Sequence, residues 1–318
     1  VARKLIIDLD PGIGDAVAAA LALVDSEFDV LALTATAGVV WGNVATRNLH
    51  AIVAQVDPPK WPRIGSAPST PALERNPSTS SRTENKARVA ALNGPTGLGN
   101  IELFAPELHH RHESWKVLVD TVKAHPHEVT LLTLGPLTNV AAALERAPEF
   151  IELLRDLVCL GGSMAVGGDI TAAAETNVYL DPEAAQCVLG SPAAKTIIPL
   201  DATNDVVITF ENFNRISTGQ SPTTQFVKQL LPFYFRAHHQ FLGMEGIWLR
   251  EVAALAAVAR PGLCRSQPMP VDVEIHDGLT CGTTVFERRR HLSGKSGVSV
   301  ALEVDPQGVV DYMTQLLR

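Results

Sequence analysis

Short apolar runs recur along this chain, and each stops abruptly at a turn or a polar residue. Leu5-Ile6-Ile7, Val30-Leu31-Ala32-Leu33-Thr34-Ala35, Val129-Thr130-Leu131-Leu132-Thr133-Leu134, Leu157-Val158-Cys159-Leu160 and Thr196-Ile197-Ile198-Pro199-Leu200 have strand length. Longer helical patterns separate them, one opening near Asp15 and one running from Val44 to Val56. This alternation predicts an α/β fold built on an open, mostly parallel sheet flanked by helices. In such sheets ligands bind outside the carboxyl ends of the strands. The polar residues at those ends are therefore where chemistry should be sought.

Charge and composition narrow the choice. The 318 residues carry 26 Lys+Arg against 34 Asp+Glu, a formal net charge of -8. A nucleic-acid binder needs a clustered basic surface, and the densest basic run, Arg288-Arg289-Arg290-His291, is short and reads as an exposed turn. With 46% hydrophobic residues, a chain of this length buries roughly 75% of the surface its unfolded form exposes. Nothing resembling a linker or a repeat interrupts it, so a single domain over 1–318 is expected. The apolar run from Ala16 to Val24 is about half of the roughly 20 residues that a membrane span needs. Asp8 and Asp10 likewise interrupt the start before a signal-type apolar stretch can form. A cytoplasmic protein is expected. The four cysteines are scattered with no C-x-x-C pair, and Cys159 and Cys187 read as inert core thiols.

Two stretches break the rhythm. Thr70 to Asn85, rich in Ser, Thr, Pro and Asn, reads as a surface loop. Gln220 to Glu251 reads as mostly helical and aromatic, with Phe226, Phe233, Tyr234, Phe235, Phe241 and Trp248, and predicts a helical cap over the sheet edge. An aromatic stripe at helical spacing is core more often than ligand wall.

Chemistry concentrates after the first strand, in Asp8-Leu9-Asp10-Pro11-Gly12-Ile13-Gly14-Asp15. Carboxylates this close, with Pro and Gly tightening the turn, can converge on a hard cation that takes oxygen ligands. Helix capping explains Asp15 at most; a buried Asp8 would still need a partner. A D-x-D phosphatase motif is a further alternative, but it expects Gly-Thr where Pro11-Gly12 stands. Four blocks follow downstream: Gly135-Pro136-Leu137-Thr138-Asn139, Gly161-Gly162, Ala174-Glu175-Thr176-Asn177 running into Asp181-Pro182-Glu183-Ala184-Ala185, and Arg250-Glu251-Val252-Ala253-Ala254-Leu255-Ala256.

In order and spacing these blocks resemble the inosine-uridine preferring nucleoside hydrolase family along nearly the whole chain. That family has D-x-D-P-G-x-D-D, G-P-L-T-N, G-G, A-E-x-N with D-P-E-A-A, and H-D-x-x-A-x-A. The resemblance implies Ca²⁺-dependent cleavage of the N-glycosidic bond of nucleosides, by a homodimer or homotetramer acting on a small nucleoside-like substrate. It also implies metal ligands at Asp10, Asp15, the Leu134 carbonyl and Glu251, the last in place of the usual Asp. Asp10 becomes the base that takes a proton from the attacking water, Asp8 orients the ligands, and Glu175 and Asn177 hold sugar hydroxyls.

The departures fall on the substrate side. Gly14 stands where the family has a sugar-binding Asp, Val39 where it has Asn, and Asp169 where a G-N-x-T-P turn has its Asn. Thr176 replaces an aromatic, and Arg250 replaces a His. The expectation is thus a metal-dependent hydrolase of nucleosides or a related N-riboside with an altered sugar pocket, in which Arg250 either meets an anionic substituent or pairs with Glu251 or Asp169. The alternative is a non-catalytic ligand-binding protein on the same fold.

Overall fold

The computed structural model describes residues 2–68, 87, 90–105, 112–216, 221–289 and 297–318. The loop expected between Thr70 and Asn85 lies outside these, as do Gln220, Arg290 and His291.

The strands are β1 Arg3–Leu9, β2 Phe28–Ala35, β3 Arg63–Ser66, β4 His112–Glu113, β5 Val129–Thr133, β6 Asp156–Leu160, β7 Lys195–Ile198, β8 Val207–Thr209, β9 Gly246–Trp248, β10 Cys264–Met269, β11 Val271–Val273, β12 Thr284–Phe286 and β13 Val298–Val304. The helices are α1 Ile13–Val24, α2 Gly42–Val56, α3 Ser114–Ala124, α4 Thr138–Arg146, α5 Thr176–Leu180, α6 Pro182–Leu189, α7 Leu200–Thr203, α8 Phe210–Arg215, α9 Pro222–Leu242, α10 Arg250–Ala259 and α11 Pro306–Leu316. Among the described residues one large sheet runs in the order β10-β13-β7-β6-β5-β1-β2-β3-β4. It is parallel except at its β10–β13 edge.

Period-two alternation explains how the sheet is covered on both sides. Along β1, Leu5, Ile7 and Leu9 enter the core shared with α1, α10 and α11, while Ile6 enters the core shared with α3, α4 and α6. Since both faces are buried, the central strands need continuous apolar runs, which is what marks them in the sequence. The helices α1 and α10 pack together. Both are rich in alanine, and Ile13–Ala22 of one and Val252–Ala259 of the other are buried on every side.

The Gln220–Glu251 stretch is not one helix. α9 ends at Leu242 because Gly243 adopts the left-handed conformation (φ 67°), a common helix stop that glycine tolerates. β9 then pairs with β8 in a small antiparallel sheet, and α10 begins at Arg250. The aromatic stripe divides in the same way: Phe226 is core, whereas Tyr234, Phe241 and Trp248 reach a cavity. Cys159 is buried, and burial pushes its thiol up to about 11. Cys187 is exposed, contrary to the apolar setting its neighbours suggested; it lies on the outer side of α6, whose Ala184, Ala185 and Val188 face inward. Among the described residues no helix is long and apolar enough to cross a membrane.

Candidate active site

The strand order turns around β1. The chain leaves it for β2 on one side, and β5 arrives on the other, which opens a crevice at the carboxyl ends of β1 and β5. A cavity of about 420 Å³ lies there, within the usual range for small-molecule sites. Every position expected to form the site lines this cavity except Asp8, which stands behind it, and Gly14.

Asp8 is flanked in the ladders by Thr34 of β2 and Thr133 of β5. Its Oδ1 accepts from Thr34 Oγ1 at 2.6 Å and from Asn139 Nδ2 at 2.8 Å, and its Oδ2 is buried without a partner. Burial raises its pKa to about 7 against the pull of those two bonds. Asn139 closes the Gly135–Asn139 turn, so that turn serves Asp8. Asn139 also donates to the Ala35 carbonyl at 2.9 Å, tying β2 to α4.

Asp10 leaves the end of β1 and accepts the Val39 N–H on Oδ2 at 2.7 Å. Two glycines crowd it. A Cβ on Gly38 would stand 2.0 Å from Oδ2, and one on Gly135 would stand 2.5 Å from Oδ1. No side chain fits at either place without moving the carboxylate, a requirement that neither glycine reveals in the sequence.

Asp15 and Glu251 occupy the first turns of α1 and α10, where the helix dipoles favour negative charge. Asp15 Oδ2 accepts from the Gly12 N–H at 3.2 Å, a reach-back that caps α1. Its Oδ1, like Oε2 of Glu251, is buried without a partner. Burial first, and then the neighbouring carboxylates, hold Asp10, Asp15 and Glu251 above the ordinary carboxylate range. The Gly14 position differs from expectation. It does not reach the cavity, because a Cβ there would lie 2.1 Å from Glu251 Oε2 and 2.4 Å from its Cδ. The Glu251 carboxylate fills the space that a side chain at 14 would take.

Unpaired carboxylate oxygens in a buried pocket are costly unless a positive group meets them, and an all-oxygen acidic set suits a hard divalent ion. In that respect the residues present fit a cation. Among the described residues no three His, Cys, Asp or Glu side chains are arranged to hold an ion by themselves; Leu134 lines the same cavity. Leu134 directly follows β5, and its oxygen accepts from Asn177 Nδ2 at 2.7 Å.

Glu175 and Asn177 approach from the opposite wall. Glu175 caps α5, accepting the N–H groups of Asn177 (2.9 Å) and Val178 (3.1 Å) as well as Gly162 (2.9 Å). Burial, then Asp169, raises its pKa to about 7. Asn177 Nδ2 also donates to the Leu160 carbonyl at 3.1 Å, which joins the ends of β5 and β6. Asp169 accepts Thr176 N and Oγ1, both at 2.9 Å, and its other oxygen meets Arg250 Nη1 at 2.5 Å. Arg250 Nη2 donates to Asn204 Oδ1 at 2.9 Å, and its guanidinium carbon lies 4.5 Å from the centre of the Trp248 ring.

The roof is aromatic. Tyr234 and His238, one helical turn apart on α9, stack edge to face with ring centres 4.3 Å apart. His238 Nδ1 lies 3.1 Å from the Tyr234 carbonyl, a contact that requires a proton on Nδ1. Burial lowers the His238 pKa to about 4, so the ring is neutral at pH 7. Sequence reasoning passed over His238, and the i, i+4 spacing from Tyr234 was the available signal.

Fold and site together define an α/β protein whose sheet edge carries an acidic, oxygen-donor pocket beneath an aromatic roof, suited to a hard cation and a small polar ligand with one flat apolar part. The sequence model of the inosine-uridine preferring nucleoside hydrolase family matches residues 5–311. A probable uridine nucleosidase 2 of Arabidopsis thaliana is 32% identical over 99% of this chain and 97% of its own length. The pyrimidine-specific ribonucleoside hydrolase RihA of Escherichia coli is 30% identical over 100% of this chain and 99% of its own. Among solved structures, a purine-preferring ribonucleoside hydrolase from Gardnerella vaginalis superposes with a TM-score of 0.87 at 27% identity, covering 99% of this chain and 98% of that one. The chain belongs to the inosine-uridine preferring nucleoside hydrolase family. It is an N-glycosyl hydrolase of nucleosides, in a family that is metal-dependent in general.

Proposed function

We propose that this hydrolase uses Ca²⁺, held by Asp10, Asp15, the Leu134 carbonyl and Glu251, and that its sugar pocket departs from that of its relatives. The observation that carries the reading is the set of carboxylates gathered at the end of β1 and the starts of α1 and α10, with buried oxygens of Asp15 and Glu251 left unpaired. Ca²⁺ suits it because its coordination is flexible enough to accept a Glu in place of an Asp. A bound divalent ion supplies Lewis acidity that lowers the pKa of water beside it.

The protein's own groups do the rest. Asp10, fixed by the Val39 N–H and by Gly38 and Gly135, accepts the proton of the attacking water. Asp8, tied to Thr34 and Asn139, keeps the end of β1 in place. The C–N bond breaks with its electron pair leaving on the base, through an oxocarbenium-like state as in glycoside hydrolysis whose positive charge the surrounding carboxylates favour; the water oxygen then bonds to the anomeric carbon, and the departing base takes up a proton from solvent. Glu175 and Asn177 border the sugar. Val39 offers it an apolar side chain where a polar one would bind a hydroxyl. Tyr234, His238 and Trp248 form the surface for the flat base. Both Nη atoms of Arg250 are engaged, which favours Arg250 as a strut holding Asp169 over a free site for an anionic substituent.

The test has two parts. Released base and free sugar are measured across ribo-, deoxyribo-, arabino- and 5′-modified nucleosides with Ca²⁺-loaded protein; no turnover of any of them would leave a binding protein in place of an enzyme. Equilibrium dialysis of Asp10→Ala is expected to lose stoichiometric Ca²⁺ uptake, and unchanged uptake would move the ion elsewhere. We propose further that this hydrolase assembles from two or four copies, which light scattering on the wild-type protein tests.

A further inference from the structure

The contact between Gly14 and Glu251 joins two first turns that lie far apart in the chain. All three closest atoms to a Cβ at 14 belong to the Glu251 carboxylate, at 2.1, 2.4 and 2.8 Å. Real Cβ atoms do not approach other heavy atoms so closely, so either residue 14 has no side chain or the carboxylate moves. That carboxylate is the end of a flexible side chain, so a side chain at 14 would displace it from beside Asp10 and Asp15, on which it acts electrostatically, and from the enclosed spot where its Oε2 now stands.

Gly14 has no backbone reason to be glycine. It is the second residue of α1 and has no left-handed φ, and where the backbone is compatible alanine is favoured over glycine because it has less freedom to lose on folding. A glycine there is explained by what passes over it.

We propose that Gly14 is the clearance for the Glu251 carboxylate, so that positions 14 and 251 form one reciprocal pair that delivers a single carboxylate to the pocket floor from α10 and none from α1. The proposal rests on the metal-dependent reading of this site for its consequence and on van der Waals geometry for its substance. It also changes what the substrate meets. The wall above α1 is the end of a long side chain anchored on another helix, and an Asp added at 14 collides with that end before it can reach a sugar hydroxyl. Residue 251 therefore sets the sugar preference on this side of the pocket, and residue 14 permits it.

The pair is tested by a cycle of four proteins: wild type, Gly14→Ala, Glu251→Asp and the double variant. The shorter Asp withdraws the three atoms that a Cβ at 14 would meet. Thermal melts in excess chelator are read first, because they need neither ion nor turnover. In the Glu251→Asp background, Gly14→Ala is expected to raise the melting temperature, as alanine does where the backbone is compatible. In wild type the same change is expected to lower it, or to stop the chain folding until Glu251→Asp rescues it. Ca²⁺ titration calorimetry is read second. Gly14→Ala should weaken affinity on the order of tenfold or more in wild type and change it little in the Glu251→Asp background, the coupling expected of touching residues. Additive melts, with the same sign in both backgrounds, overturn the pair. If the melts are non-additive but wild type takes up no Ca²⁺, the pair stands and the metal assignment falls.

Discussion

Arg250 and Asp169 meet across the wall of the pocket, with Nη1 of the one 2.5 Å from Oδ2 of the other. The pair joins the first turn of α10, where Glu251 sits, to the turn before α5, where Asp169 also holds the Thr176 N–H and hydroxyl. Both side chains are mostly shielded from water, so removing one partner strands the other. Arg250→Met is expected to cost about 1–3 kcal/mol of stability, measured by urea unfolding. It should also raise KM more than it lowers kcat, because the α5 wall loosens while Asp10 stays in place. A variant as stable as wild type with an unchanged KM would remove the strut role.

Asp10→Asn tests the base. The amide is nearly isosteric and can still face the Val39 N–H through its oxygen, but it cannot take a proton at neutral pH. Turnover is expected to fall by roughly 10² to 10⁴ with an unaltered circular dichroism spectrum. Near-normal kcat in this variant would assign the base elsewhere.

Gly135→Ala probes how closely that base is held. The new methyl would lie 2.5 Å from Oδ1 of Asp10 and 3.0 Å from its backbone nitrogen, so the carboxylate must shift. A misplacement near 1 Å typically costs on the order of 10² in rate, and kcat/KM should fall by about that factor, with the melting temperature lowered as well. Retained activity would show that the cradle tolerates movement.

His238 makes a prediction about acid. Its folded pKa of about 4 lies below the 6.5 of an unperturbed histidine. Between these values the unfolded chain binds a proton that the native ring refuses, so stability falls as pH drops from 6.5 towards 4, by up to about 3 kcal/mol. Above pH 6.5 the ring contributes no slope. Urea midpoints at pH 7 and pH 4.5 should differ less in His238→Gln than in wild type; equal differences would mean that the ring is already protonated when folded.

What the sequence made legible follows from what is buried on both sides. β1, β2, β5, β6 and β7 stand in the middle of the sheet, and burial of both faces forces the continuous apolar runs from which they were read. β3, β4 and β10 lie at or near its edges, and Arg63, His112 and the exposed Arg265-Ser266-Gln267 segment carry no such run. At the site, Asp8, Asp10 and Asp15 were readable because they crowd one turn. The glycines around Asp10 and the occupant of the space at Gly14 were not, since each is defined by an atom distant in the chain. Cys187 misled because alternating inward and outward positions on α6 give an exposed residue the same apolar neighbours as a buried one.

The alanine seam between α1 and α10 has a consequence for how such a pocket can change over evolutionary time. Helix separation depends on the side chains at the contact, and here most of the buried residues on both helices end in a methyl group. The carboxylates of Asp15 and Glu251 ride on the ends of these two rods, so the thickness of the spacer between the rods sets the gap between the charges. A substitution of one alanine by valine deep in the seam would act as a shim, widening the gap between the two carboxylates. A change in a residue that lines no pocket can then reach both carboxylates.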